Sequence, residues 1–282
     1  MIMALADCEY EALAACDLCG CSALSVFNEE SLLHRCNQCG YVFDSPRPTR
    51  EAIAAYYSRA DKYDGWLAAI GNRDRLWMRR LKKLPIHSGR LLDVGTGIGQ
   101  FLAHVRDRFD VIGTEVSSSA RALALERYQL EIIPGELEEI QLDQEFDLIT
   151  VFHVLEHVPS PRRLLQKCYD LLAPGGYIVV AVPNDVHSVR NAMRKLLGGR
   201  ALPRITLDDT QGEIHVSHFT QASLSLALTK IGFSDVKLSL DPYFASGGWK
   251  LAVHVGHYAF SSVVHRLTGF NLYETILAVA RK

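Results

Sequence analysis

Arg90-Leu-Leu-Asp-Val-Gly-Thr-Gly-Ile-Gly-Gln-Phe101 decides how this chain is read. Leu91 and Leu92 begin a short apolar run that is closed by Asp93, and Gly95, Gly97 and Gly99 follow at alternate positions. The pattern predicts a buried strand over 90–94, a glycine turn and a helix near 98–108. Glycines remove the side chains that would hold a ligand off the backbone, so amides at the start of the helix can meet a polar group. The spacing is Gly-x-Gly-x-Gly. A dinucleotide-binding turn wants Gly-x-Gly-x-x-Gly, and the third glycine fails that test. An acid before the first glycine also suits a cationic, amine-bearing ligand better than a pyrophosphate.

The same grammar repeats downstream. Val111-Ile-Gly-Thr-Glu115 is a second apolar strand that ends on an acid. Glu131-Ile-Ile-Pro-Gly-Glu-Leu137 reads as a third strand with its exit turn, and Phe146-Asp-Leu-Ile-Thr-Val-Phe-His153 as a fourth. Leu171-Leu-Ala-Pro-Gly-Gly-Tyr-Ile-Val-Val-Ala-Val-Pro183 reads as a helix end, a turn and a fifth strand. Strands are expected near 90–94, 110–115, 130–134, 146–152 and 176–182, with helices near 98–108, 118–128 and 160–172. Such alternation predicts an α/β fold with a parallel sheet covered on both faces. Ligands on these sheets bind at the carboxyl ends of the strands, where Asp93, Glu115, Glu136 and His153 all fall.

Together with Val154-Leu-Glu-His-Val-Pro159, these motifs resemble in type and order the class I S-adenosylmethionine-dependent methyltransferases, over about residues 50–282. The resemblance implies a Rossmann-like sheet of seven strands, with strand six over 232–241 and an antiparallel last strand over 275–280. It implies S-adenosyl-L-methionine as cofactor, held by Asp93, Gly95, Thr96, Gly97, Gly99, Phe101, Glu115, Val116, Glu136, Leu137, Phe152 and His153. Glu115 would accept hydrogen bonds from both ribose hydroxyls, which an acceptor-only carboxylate suits. Glu136 and Leu137 would border the adenine.

Methyl transfer from a sulfonium is an in-line displacement that needs alignment and, for a hydroxyl nucleophile, a base. Histidine is neutral in large part at physiological pH, so His157, His153, His215 and His218 are the candidates. His157 comes first because Leu155-Glu156-His157-Val158 falls beside the expected methyl site; its alternative role is to fix the loop. His153 alternatively lines the cofactor sulfur. Glu156 orients His157, caps the adjacent helix or, as in some ubiquinone-pathway O-methyltransferases, binds a metal. No Asn-Pro-Pro-Tyr or Asp-Pro-Pro-Tyr follows strand four, which disfavours exocyclic amino groups as acceptors.

Ahead of this domain lie Cys16-Asp-Leu-Cys19-Gly20 and Cys36-Asn-Gln-Cys39-Gly40. Two Cys-x-x-Cys-Gly knuckles supply the four thiolates of a tetrahedral structural zinc, Cys16, Cys19, Cys36 and Cys39, with no coordination position left for catalysis. The segment between them is too short for its own core, so the metal supplies folding free energy. Residues 1–45 read as a zinc ribbon, 46–84 as a proline-rich linker (Pro46, Pro48) and lid helices broken at Gly65 and Gly71, and 85–282 as the methyltransferase domain. Two knuckles, Pro-Arg-Pro-Thr49 and Tyr56-Tyr57 resemble the zinc-ribbon subset of the type 23 methyltransferases, associated with bacterial sugar, polysaccharide and natural-product pathways.

Within 184–214 an insertion carries Arg190, Arg194, Lys195, Arg200 and Arg204 among Val189, Met193, Leu196 and Leu197. It reads as a lid helix or as a basic amphipathic contact to an anionic substrate or membrane surface through 188–204. Glu213-Ile-His-Val-Ser-His-Phe-Thr220 resembles the segment that opens the next helix in the family, with Thr220 as N-cap. Residues 249–266 read as a helix whose His254 and His257 lack the carboxylate a metal site wants.

A net charge of −2 gives no global field for nucleic acid. No apolar run approaches the roughly 20 residues of a membrane span, and the N-terminus lacks a basic region, so a cytoplasmic enzyme is expected. The reading is methyl transfer to a small molecule, through oxygen, on a sugar, lipid-linked sugar or secondary metabolite. C-methylation of a nucleotide-linked keto sugar is the alternative within that class. An RNA or protein methyltransferase gripping its substrate by the ribbon and by Arg73, Arg75, Arg79, Arg80, Lys82 and Lys83 is a second alternative, and a non-catalytic module a third.

Overall fold

Side chains that alternate along the central strands build two separate cores. The computed structural model describes residues 10–59, 63–68, 70–197, 202, 205, 207, 213–243 and 247–282. In β6 (Gly89–Val94), Leu92 and Val94 point to one core and Leu91 to the other; Ile149 and Val151 oppose Leu148 in the same way on Phe146–Phe152. The period of two is that of strands buried on both faces.

In chain order, five short strands come first: β1 (Tyr10–Glu11), β2 (Leu24–Asn28), β3 (Leu33–Cys36), β4 (Val42–Asp44) and β5 (Arg47–Pro48). Helices α1 (Arg50–Tyr57), α2 (Asp64–Ala68) and α3 (Ile70–Leu81) follow. The central domain then runs β6, α4 (Gln100–Val105), β7 (Phe109–Glu115), α5 (Ser118–Tyr128), β8 (Ile133–Pro134), β9 (Phe146–Phe152), α6 (Pro161–Leu171) and β10 (Leu172–Pro183). It finishes with α7 (Val189–Leu196), β11 (Ser217–His218), α8 (Gln221–Ile231), β12 (Ser234–Ser239), α9 (Gly248–Thr268) and β13 (Thr275–Arg281).

The seven-stranded sheet has the order β12-β13-β10-β9-β6-β7-β8. β10, β9, β6, β7 and β8 are parallel, and β13 runs antiparallel between β10 and β12. This is the expected Rossmann-like architecture. Leu164, Leu165 and Cys168 of α6 and Leu224, Ala227 and Leu228 of α8 cover one face, while Trp77 and Leu81 of α3 and Phe101, Leu102 and Val105 of α4 cover the other. No helix among the described residues is long and apolar enough to cross a membrane.

The cysteine-bearing strands join the first core. Cys16, Leu18, Cys36, Tyr41 and Phe43 belong to the same buried cluster as Leu155 and Phe219. Their sheet, ordered β11-β4-β3-β2, takes its edge strand from Ser217–His218, far along the chain.

Local signals set several helix starts. Thr49 caps α1 by accepting from the Ala52 amide, and Thr220 caps α8 in a reciprocal box with Ser223. Two expectations fail. Gly65 and Gly71 lie inside α2 and α3, since one glycine costs a helix only about 1 kcal/mol, which packing outweighs. The third strand is confined to Ile133–Pro134 at the sheet edge, where Pro134 has no amide to extend the ladder.

Arg80 and Asp241 fasten α3 to the segment after β12. The guanidinium donates from Nε to Oδ1 at 3.0 Å and from Nη2 to Oδ2 at 2.5 Å, and both side chains are buried. Breaking a buried pair strands a charge. Replacing Arg80 with Met should therefore destabilise the fold by about 3–5 kcal/mol, and adding Asp241→Leu should restore much of the loss. Urea unfolding of the two variants checks both outcomes.

Candidate active site

The site grows from the ends of β6 and β7. Asp93 is the penultimate residue of β6, and its carboxylate accepts from the Thr150 hydroxyl at 2.6 Å and the Thr96 hydroxyl at 3.0 Å. Burial pushes its pKa up from 3.8 to about 7, against the pull of those two hydroxyls. Glu115 closes β7. One oxygen takes the Gly97 amide at 2.8 Å and the other the Ser117 amide at 2.8 Å. Its pKa is also raised by burial, and the two amides oppose the shift.

The glycines are required where they stand. Gly95 has φ +66, and a Cβ there would come within 2.4 Å of Val154. Gly97 has φ +58, and its Cβ would come within 2.9 Å of the Trp66 ring. The turn is therefore roofed by the loop after β9 on one side and by the lid on the other.

A crevice opens over this turn. It is lined by Asp93, Gly95, Thr96, Gly97, Glu115, Val116, Glu136, Leu137, Phe152 and His153, ten of the twelve residues expected to touch the cofactor. Glu136 is paired with Arg50 at the start of α1. Gly99 and Phe101 are not among the lining residues. Gly99, with φ +78, forms the N-cap of α4, and Phe101 is buried between Trp77 and Phe152.

The lid helices supply residues that the sequence pattern did not single out. Tyr57, Tyr63, Trp66, Arg73 and Trp77 line the crevice, with Tyr243 from the segment after β12 and Glu213. Arg73 stacks its guanidinium 3.8 Å from the Trp66 ring centroid, which places a buried cation beside the glycine turn. The sequence marks this segment as lid helices but gives no means of telling which side chains point into the crevice. Arg73 and Arg80 are both buried, so the basic run of α3 does not form one exposed nucleic-acid face.

The crevice continues to the loop 153–159. His153 holds φ +57, a left-handed conformation unusual for a residue other than glycine, at the exit of β9. Its Nδ1 lies 3.1 Å from Glu156 Oε1, and its Nε2 lies 3.6 Å from Asp241 Oδ2. Burial disfavours the imidazolium, but these two acids outweigh it and raise the pKa. His157 moves the other way: burial lowers its pKa, although Glu156 pulls upward. Its Nδ1 meets the Ile214 carbonyl and lies 2.9 Å from the Tyr57 hydroxyl. Donation from Nδ1 to that carbonyl leaves the lone pair on Nε2.

His215 stands beside His157 with ring centroids 4.9 Å apart. It sits between Asp185 at 3.2 Å and Glu213 at 3.6 Å, which overcome burial and raise its pKa well above 6.5. Glu156, His157 and His215 bring one donor atom each within 4.8 Å of one another. His218 does not line the crevice. It is buried between Asp44 at 3.2 Å and Asp185 at 3.3 Å, and these partners outweigh burial to raise its pKa to about 9. It ties β11 to the cysteine-bearing sheet.

Cys16, Cys19, Cys36 and Cys39 converge so that all four sulfurs lie within 4.8 Å of one another. Cys16 is 3.6 Å from Cys39, and Cys19 is 3.5 Å from Cys36. Four sulfurs at about 2.3 Å from a tetrahedral zinc stand about 3.8 Å apart, so the cluster is compatible with that ion. Gly20 and Gly40 take positive φ, and their amides bond the carbonyls of Cys16 and Cys36. Burial raises Cys36, but the amides of Cys39 and Gln38 bring its thiol down to about 7. In the insertion, α7 exposes Met193, Leu196 and Leu197; residues 198–201, 203, 204, 206 and 208–212 lie outside the described residues.

Comparison with known proteins places this geometry. A family model described as a methyltransferase domain, type 23, matches residues 69–238, more than half of the chain. A ubiquinone biosynthesis O-methyltransferase of Coxiella burnetii is 29% identical over 178 residues, covering 57% of this chain and 74% of that protein. A second, from Colwellia psychrerythraea, is 31% identical over 129 residues, covering 43% of this chain and about half (52%) of that protein. The ubiquinone/menaquinone biosynthesis C-methyltransferase of Methylococcus capsulatus is 29% identical over 231 residues, 72% of this chain and 90% of that one. A solved SAM-dependent methyltransferase of Thermotoga maritima shares the fold at TM-score 0.58 and 18% identity, over 82% of this chain and 99% of that one. With the carboxylate-closed glycine turn and the LEHV loop at the head of its sheet, the chain belongs to the type 23 methyltransferase-domain family and is an S-adenosylmethionine-dependent methyltransferase.

Proposed function

We propose that the chain methylates an oxygen of a small molecule, of the class of a sugar, lipid-linked sugar or secondary metabolite, with His157 as general base. The carrying observation is that one crevice runs from Asp93 and Glu115 to His157, beneath Tyr57, Trp66 and Arg73. A chamber roofed by aromatic lid residues suits a compact acceptor better than a polymer backbone.

Bound S-adenosylmethionine supplies a sulfonium-activated methyl group. Glu115, with both oxygens fixed by amides, keeps further lone pairs for the ribose hydroxyls. Asp93 is placed to attract the amino group, and Arg73 to attract the carboxylate, of an amino-acid end lying over Gly95 and Gly97. His153, whose pKa is raised by Asp241 and Glu156 against burial, orients the loop and is less suited to act as the base. His157, neutral and fixed in tautomer, can take the acceptor proton at Nε2. Cys16, Cys19, Cys36 and Cys39 hold a structural zinc. The similarity to a C-methyltransferase over 72% of this chain keeps a carbon acceptor as the second reading. Incubation with methyl-labelled cofactor and host extract, followed by identification of the labelled product, separates the two; no labelled small molecule at all would overturn both.

Cofactor affinity should depend on pH through Asp93. The free carboxyl titrates at about 7, and a bound ammonium favours its ionised form, so affinity should rise as pH climbs through that value and fall below it. Asp93→Asn should flatten the profile and weaken binding by about 1–3 kcal/mol, as read by calorimetry. Loss of the base gives a different signature. His157→Ala should lower kcat by about 10²–10⁴ with cofactor affinity nearly unchanged. The acid limb of the wild-type profile should lie below 6.5, because burial lowers this histidine and the base is competent only above its pKa.

Metal removal should travel along β11. Chelation is expected to unfold 10–45 and to loosen 214–218, so that turnover falls before cofactor affinity does. Hydrogen exchange of Val216 and Ser217 alongside a cofactor titration reads the order of events.

A further inference from the structure

α9 carries two apolar faces, and the protein covers one of them. Leu251 and Tyr258 pack inward on Leu240 and Tyr273. Ser261 is its only buried residue. On the far side Trp249, Val253, Phe260, Val263 and Leu267 recur at helical spacing and stand exposed, Trp249 by 74% and Leu267 by 80%. Phe270, just past the C-cap, continues this stripe at 71% exposure. A helix that is apolar on both faces wants a second apolar surface.

Charge says which surface. From Pro242 to Tyr273 the sequence contains no Asp or Glu. At about 3.6 residues per turn, Lys250 and Arg266 fall on opposite flanks of the exposed stripe. On the Arg266 flank a groove between α9, α3 and β12 is lined by Arg79, Lys82, Lys83, His265 and Arg266, and by no acid. A second copy of this helix would bring cations to cations with no carboxylate to answer them. Anionic lipid headgroups beside an acyl layer answer both the groove and the stripe.

A second element leaves from the same corner. The Val189 amide, at the start of α7, donates to the Leu272 carbonyl, two residues past Phe270. α7 exposes Met193 beside Arg194, and Leu196 and Leu197 follow. Two basic, apolar-faced elements meeting at one corner fit a planar surface better than a single paired helix.

We propose that α9, with its Lys82–Lys83 groove, is a docking face for an anionic membrane, with the helix lying along the bilayer surface. At 21 residues it is about 30 Å long. Cations on its flanks reach the headgroups while Trp249, Phe260 and Leu267 enter the acyl boundary. The acceptor crevice opens nearby: Tyr273 stacks on His257 of α9, and its hydroxyl donates to the carbonyl of Tyr243, which lines the crevice.

The test is flotation of the full chain with phosphatidylcholine vesicles, with and without phosphatidylglycerol. Binding is expected only to the anionic vesicles and should weaken with salt. The Phe260→Glu/Leu267→Glu double variant should not float. Lys82→Ala/Lys83→Ala, which leaves the apolar stripe intact, should bind roughly tenfold more weakly. Cofactor binding by each variant reports that it has folded, and Lys82→Ala/Lys83→Ala serves alone should the other fail to. Absence of flotation with anionic vesicles overturns the proposal, as does unchanged binding by the lysine variant. A wild-type dimer that Phe260→Glu/Leu267→Glu converts to monomer, without any vesicle binding, overturns it in favour of a second copy.

Discussion

Glu115 clamps two strand ends with one side chain. Its two oxygens hold the amides of Gly97, in the turn after β6, and of Ser117, at the N-cap of α5. Parallel strands share no hairpin, so their exits must be tied by contacts outside the ladder. Here the tie is a buried carboxylate beside a turn whose glycines take left-handed backbone. The tie decides where the crevice lies. With Gly97 fixed, Trp66 can settle on the turn, Arg73 can stack on Trp66, and Val154 can fill the space a Cβ on Gly95 would claim. The uncompensated cost falls on Asp93 and Glu115, both buried and both shifted upward. Two buried carboxylates whose hydrogen bonds do not offset the cost of burial mark a place that is completed by something cationic or hydrogen-bond donating.

The second organising contact explains why a small cysteine-bearing unit sits on this domain. The amides of Val216 and Ser217 both donate to the Glu156 carbonyl, in the loop that carries His157. Ser217 and His218 then pair with Val42 and Phe43 as the edge of the ribbon's sheet, and Tyr41 donates its hydroxyl to Ser217. His218 bridges Asp44 and Asp185 with both ring nitrogens, so the join is ionic as well as backbone-bonded. The ribbon is thus an outer buttress for the wall that faces the acceptor. A unit whose own strands are three to five residues long gains little from hydrophobic burial alone, and its four convergent cysteines are compatible with a metal that would stiffen its edge.

What could be read in the chain divides along the same lines. Most strand ends, the glycine spacing and the cap at Thr220 are local properties, and they stand where the sequence placed them. Ten of the twelve residues expected at the cofactor line one crevice because they sit at strand ends or in the turns just beyond, which topology alone brings together. Gly99 and Phe101 stand off the crevice lining: Gly99 caps α4, and Phe101, in its first turn, points into the core between Trp77 and Phe152. Gly65 and Gly71 were misleading because propensity is weaker than packing. The lid's contribution was out of reach for a different reason. Trp66, Arg73 and Tyr243 meet across long separations, and an apolar period of 3.6 fixes a face without saying what that face meets. The same blindness made Arg73 and Arg80 look like members of an exposed basic run. Burial beside Trp66, and opposite Asp241, gives them other work.

Three histidines within one corner illustrate how environment, and not residue type, assigns chemistry. His153 and His215 each face two acids that raise their pKa, whereas burial lowers that of His157 although Glu156 lies 3.8 Å from its Nε2. His215 adds to that lowering, because a positive charge beside His157 discourages a second imidazolium. Glu156 works in the opposite sense, and its pKa is depressed by the same histidines. The balance between these charges is set by the positions of Ile214, Glu213 and His215, which the ribbon-bound segment holds in place. The protonation equilibrium of His157 is therefore a property of the 213–218 strap as much as of the Leu155-Glu156-His157-Val158 motif itself.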